Sequence, residues 1–137
     1  MTDLHFENVS ITYRSSSARG DVVAVEDVSL ALPAGATLGI AGESGSGKST
    51  LIMSALRLLP KSARLDGRVL LGGQDIRELS FGQIRAVRWA QASIVFQGAL
   101  HSLNPVREVG SQIIEALEHH SKGTWTTPQK RRDRMFE

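Results

Sequence analysis

Gly42-Glu-Ser-Gly-Ser-Gly47-Lys48-Ser49 constrains this chain more than any other stretch, because it fits the phosphate-loop pattern G-x-x-x-x-G-K-[ST]. The pattern carries meaning only between a strand and a helix, and both flanks read that way. Residues 36–41, Ala-Thr-Leu-Gly-Ile-Ala, are a short apolar run of the kind a buried strand shows. From Lys48 the period changes, with Leu51, Ile52, Ala55, Leu58 and Leu59 on one helical stripe that Pro60 should stop. Glycines let the backbone wrap a phosphate chain closely, so that successive N–H groups point inward. Helix amides from Gly47 onward add the positive end of a dipole. The candidate cradle is Gly42, Glu43, Ser44, Gly45, Ser46, Gly47, Lys48, Ser49 and Thr50. In it Lys48 bridges the β- and γ-phosphates, the Ser49 hydroxyl ligates Mg2+ and Thr50 reaches the α-phosphate. Glu43 reads equally as a solvated side chain. A glycine-rich turn with a solvated lysine is the plain alternative, and the strand-loop-helix context disfavours it.

A phosphate loop alone leaves ATPases, GTPases and small-molecule kinases open. Composition narrows the field. With 137 residues, 41% hydrophobic and 22% charged, one ordinary globular domain is expected. The formal charge of +2 is too small and too scattered for a nucleic-acid footprint. There is no cysteine, which excludes disulfides, thiolate metal sites and thiol nucleophiles. Residues 1–7 carry neither a basic nor an apolar leader segment, and the uncharged stretch between Asp27 and Glu43 is broken by Pro33 and glycines. A cytoplasmic location is therefore expected, with any membrane supplied by a partner.

Upstream of the loop, Leu4, Phe6, Val9 and Ile11 roughly alternate with polar residues, and Val22 to Leu32 is a second β-rich stretch, joined to the first by the polar residues 15–20. Downstream, a Val-Leu-Leu strand precedes Gly72-Gly73, whose Leu71-Gly-Gly-Gln74 is turn chemistry. Ser80 can cap a helix through Ile84 and Val87, residues 93–97 are a further apolar strand, Val109 to Leu117 repeat at helical spacing, and Thr127-Pro128 can start one more helix. His101 reads as a solvated loop residue, His119 and His120 as a polar helix end, Trp89 and Trp125 as packing residues or contacts, and Lys130 to Arg134 as a solvated basic face.

Placed after a strand pair, Gly42 to Thr50 resembles the Walker A of ATP-binding cassette transporter ATPases. Asn8-Val-Ser-Ile-Thr-Tyr13 resembles that family's A-loop, which implies that the Tyr13 ring stacks on adenine, a contact worth about 1–3 kcal/mol for bases on aromatics. Ile94-Val-Phe-Gln97 resembles the Q-loop, which implies that Gln97 contacts Mg2+ or the attacking water. Phe96 to Ile113, with Ser102-Leu-Asn-Pro-Val106 and Val109-Gly-Ser-Gln-Ile113, is similar to ATPases of dipeptide, oligopeptide and nickel importers. The resemblance implies an α/β P-loop NTPase with an N-terminal antiparallel β unit and an incomplete core. Residues 1–97 would hold the β unit and nucleotide-binding core, and 98–137 the Q-loop continuation and the start of a helical subdomain.

The resemblance further implies ATP and Mg2+ as ligands, with Lys48 and Gln97 in catalytic roles. It implies permease subunits contacted through Gly98 to Pro105, a second ATPase domain, a solute-binding protein met indirectly, and a place on the inner face of the membrane. The family's signature, Walker B and switch histidine do not follow the Q-loop here. The expectation is a fragment of a longer subunit that binds nucleotide weakly and does not hydrolyse ATP alone. A non-transport ATPase module of the same fold and a metabolite kinase are the competing readings.

Overall fold

The computed structural model describes residues 2–15, 20–95, 98 and 103–120, with the side chains at 89 and 117–120 outside that description. The chain divides into two compact units, Met1–Ser93 and Ile94–Glu137.

In the first unit β1 (Leu4–Tyr13) pairs antiparallel with β2 (Val22–Leu32) on one side and β3 (Ala63–Leu71) on the other, and the two-residue β4 (Gln74–Asp75) extends the sheet to the order β2-β1-β3-β4. Central β1 buries Phe6, Val9 and Ile11. The step from 6 to 9 breaks strict alternation because Asn8 adopts φ 49°, and the register with β2 and β3 shifts around it. Asp27 on β2 (φ 46°) and Gly67 on β3 (φ 86°) take the same left-handed conformation. Asn8 Nδ2 donates to Asp27 Oδ1 at 3.0 Å, and the Asp27 N–H donates to Ser10 Oγ at 2.9 Å. These bulges increase the local twist and curl the sheet.

The β3–β4 hairpin turns on Gly72 (φ 58°) and Gly73 (φ 78°), both in the positive-φ conformation that two-residue turns of type I′ need. This is the turn role read for Leu71-Gly-Gly-Gln74. Among its described residues this unit has two helices, α1 (Lys48–Ser54) and α2 (Phe81–Ala90). Leu51 of α1 and Ile84 and Val87 of α2 join Phe6, Val9, Ile11, Val25, Val69, Leu71 and Ile76 in one core, each large side chain contributing about 1.5–3 kcal/mol of burial. Ser80 caps α2 as its sequence suggests: Ser80 Oγ accepts from the Gln83 N–H at 3.3 Å, and Gln83 Oε1 accepts from the Ser80 N–H at 2.8 Å.

Three expectations are corrected. Residues 36–41 are not a strand and are exposed throughout, with Leu38 at 46% and Ile40 at 40%. A core strand exists only when a neighbour completes its ladder, and the described sheet contains no strand beside this segment. For the same reason residues 93–95 are irregular, with Val95 at 87% exposure, and the remainder of that expected strand, 96–97, lies outside the described residues. Helix α1 ends at Ser54 rather than running to Pro60. Arg57 enters the left-handed region (φ 50°), its N–H donating to the Ser54 carbonyl at 3.1 Å and that of Leu58 to the Met53 carbonyl at 3.0 Å, which is a Schellman-type closure with arginine where glycine is usual.

In the second unit a turn at 104–107 leads into α3 (Val109–His120). Gln112 fastens the two together. Its Oε1 accepts from the Asn104 N–H at 2.8 Å, and its Nε2 donates to the carbonyls of Asn104 and Arg107, each at 3.1 Å. The expected helix from Thr127 lies outside the described residues, as do His101, Trp125 and 130–134.

Candidate functional site

The loop 42–47 leaves the exposed segment 36–41 and enters α1 through Gly47. Gly47 sits at φ 84°, and a Cβ there would stand 2.1 Å from the Ala24 carbonyl oxygen and 3.1 Å from Val25 Cγ2. Only glycine lets the loop rest this closely on β2. At the loop's other end a Cβ on Gly42 would stand 2.9 Å from Ser46 Oγ and 3.8 Å from Lys48 Nζ. The loop is thus a cradle that a side chain at 42 would fill, whereas Gly45 faces open space.

Lys48 lies across this cradle. Its ammonium donates to the carbonyl oxygens of Gly42 at 2.8 Å and Glu43 at 2.5 Å and to Ser46 Oγ at 3.1 Å. A cation whose three donors are met by uncharged oxygens on a solvent-open loop can exchange them for anionic oxygens at a gain, since charge-assisted pairs are the stronger ones. The donor set of the loop therefore fits a phosphate chain: one cation, the hydroxyls of Ser44, Ser46 and Ser49, and, within 42–50, one acidic side chain, Glu43, which is exposed. Ser49 is likewise exposed.

Tyr13 and Thr50 are distant in sequence and meet here. Tyr13 Oη lies 3.2 Å from Thr50 Oγ1, and both side chains are half-buried. Between β2 and the loop opens a cleft of about 480 Å3, lined by Ala24, Glu26 and Val28 on one side and Gly42, Ser46 and Lys48 on the other, a volume in the range of small-ligand sites. The structure thus brings together Tyr13, the whole of 42–50 and an adjoining cleft. Gln97 lies outside the described residues, as does most of 98–105, of which 98 and 103–105 are described. No group of three or more metal-ligating His, Asp or Glu side chains occurs among the described residues.

The model of the ABC transporter family matches residues 25–136, most of the chain. The chain belongs to the ABC transporter family. The ABC ATPase fold follows, and the curled antiparallel sheet beside a phosphate loop is part of it. The oligopeptide transport ATP-binding protein OppD of Escherichia coli is 39% identical over 117 residues, covering 85% of this chain and 34% of its own length, and OppD of Salmonella typhimurium is 38% identical over the same length. OppD of Haemophilus influenzae is 35% identical, again over 85% of this chain. The chain spans about a third of the length of these curated relatives. An ATP-bound bacterial exporter of the Atm1 ABC family superposes with a TM-score of 0.49 at 22% identity over 94% of this chain and 23% of its own, a likeness too loose to argue from.

Two features of this ABC chain escaped the sequence. Arg57 and Arg88 hold α1 and α2 together through backbone carbonyls, as Arg88 Nε donates to the Leu56 carbonyl at 2.9 Å. No local pattern announces such a pair. The second is the Asn104–Gln112 fastening, between two residues eight positions apart in the importer-like segment.

Proposed function

We propose that this chain is the ATP-binding part of the energising subunit of a peptide importer, holding Mg-ATP on residues 42–50 with Tyr13 stacked on the adenine. The observation that supports it above all is the Lys48 ammonium, lying across a glycine cradle on three neutral oxygens that phosphate oxygens can replace. Lys48 would exchange the Gly42 and Glu43 carbonyls for the β- and γ-phosphates, the Ser49 hydroxyl would hold Mg2+, and Thr50 would donate to the α-phosphate. Bound Mg2+ would supply neutralisation of the phosphate charge. Gln97 would contact the metal or the attacking water.

The peptide-import reading rests on the names of the relatives, which are oligopeptide transport ATP-binding proteins. It carries permease subunits met through 98–105, a second ATPase domain and a place on the inner membrane face. No helix among the described residues is long and apolar enough to cross a membrane.

The test is equilibrium binding of Mg-ATP to the protein and to its Lys48→Ala variant. Loss of one charge-assisted set should weaken binding about ten- to a hundredfold. Equal affinity in the two would refute the site. Co-purification of the intact protein with a permease tests the partner, and its recovery with ribosomes or DNA instead would favour a non-transport ATPase.

A further inference from the structure

Resting on the proposed nucleotide site, we infer that Tyr13 serves the nucleotide twice, with its ring on the base and with its hydroxyl, through Thr50, on the phosphates. Tyr13 is the last residue of β1 and is paired on both sides, with Val22 of β2 and Ala63 of β3. The next N–H, of Arg14, donates to the Ser62 carbonyl at 2.9 Å. The tyrosine backbone is thus fixed from both flanks, and its hydroxyl lies 3.2 Å from Thr50 Oγ1 in the first turn of α1.

Each hydroxyl has one proton to give and lone pairs to receive with. With no anion present, either atom of this pair can be the donor. A phosphate oxygen only accepts, so Thr50 must spend its proton on the phosphate, and the Tyr13–Thr50 bond can then persist only with the phenol donating. The result is a directed chain from the Tyr13 hydroxyl to the Thr50 hydroxyl to the phosphate oxygen, in which each bond polarises the next. Tyr13 becomes a positioning residue for the phosphate chain, and occupancy of the base and phosphate halves of the site is linked through one hydroxyl.

A structural tie between β1 and α1 would show the same distance, so the test needs a ligand without a base. Tripolyphosphate is that probe, because a ring that only stacks on adenine has nothing to offer it. Mg-tripolyphosphate and Mg-ATP are titrated calorimetrically into the protein and its Tyr13→Phe, Thr50→Val and doubly substituted forms, with circular dichroism checking the fold. Tyr13→Phe should weaken both ligands by the same factor of about three to ten, and in the Thr50→Val background it should change nothing further. Thr50→Ser, which keeps the hydroxyl, should retain the full Tyr13 effect. Unchanged tripolyphosphate affinity in Tyr13→Phe, or effects of the two substitutions that multiply, would overturn the relay while leaving the nucleotide site standing. Failure of the unsubstituted protein to bind Mg-ATP would overturn the site itself.

Discussion

Arg57 and Arg88 each donate to backbone carbonyls that flank the other's helix. The Arg88 guanidinium, near the end of α2, donates to the Leu56 carbonyl at 2.9 Å and the Arg57 carbonyl at 2.8 Å, just past the end of α1. The Arg57 guanidinium donates to the Leu79 carbonyl at 2.6 Å and the Ile76 carbonyl at 3.3 Å, just before α2 begins. Each guanidinium is solvated by carbonyl dipoles, and those past α1 carry the negative end of its dipole. The left-handed Arg57 backbone is held by the same bonds.

Arg88→Ala should therefore cost about 1–3 kcal/mol, since two carbonyls lose a charged donor. At Arg57 the order of two substitutions is the sharper check. Arg57→Gly loses the guanidinium bonds but relieves the positive-φ strain, whereas Arg57→Ala loses the bonds and keeps the strain, so alanine should be worse by about 1 kcal/mol. Urea unfolding of the variants measures both.

Gly47→Ala and Gly45→Ala separate close approach from backbone conformation. Both glycines sit near φ 84°, but the Cβ at 47 would meet the Ala24 carbonyl oxygen at 2.1 Å, and that at 45 has nothing within 4 Å. Gly45→Ala should cost about 1 kcal/mol. Gly47→Ala should cost more, because the loop must lift from β2, and should also weaken Mg-ATP binding; equal unfolding midpoints for the two variants would contradict this.

Gly67→Ala tests the bulge row. Its Cβ would lie 2.3 Å from the Asn8 carbonyl oxygen and 2.6 Å from that of Glu7, at φ 86°. Neither backbone can yield without breaking the β1–β3 pairing, so a loss of about 2–4 kcal/mol is expected, read as a lower thermal midpoint.

Ser80→Ala removes one half of the capping box at α2 and should cost about 1 kcal/mol, while Ser80→Asp should recover most of it. Helix content followed by circular dichroism through a urea titration reads the difference.

The phosphate loop was legible because its meaning lies in contiguous residues, and so were the Gly72-Gly73 turn and the Ser80 cap. The break at Asn8 was not read as one: Leu4, Phe6, Val9 and Ile11 passed for rough alternation, and the bulge shows only in the backbone. What stayed hidden depends on distant partners. Residues 36–41 have strand composition, but composition cannot supply the neighbouring strand that turns it into a ladder. The end of α1 is set by Arg88, more than thirty positions on, and no glycine marks it. Within the site, the spacing of Lys48, Ser49 and Thr50 was plain, whereas the Tyr13–Thr50 contact required β1 to be folded beside α1.

The strand order carries a consequence for synthesis. Because β1 lies between β2 and β3, the sheet remains open until Leu71 has emerged from the ribosome. By then residues 42–49 already sit inside the loop that β1–β3 pairing closes. The β1–β3 pairing thus joins the two ends of a stretch that contains the whole phosphate loop, and the entropy of closing that stretch falls on the pairing.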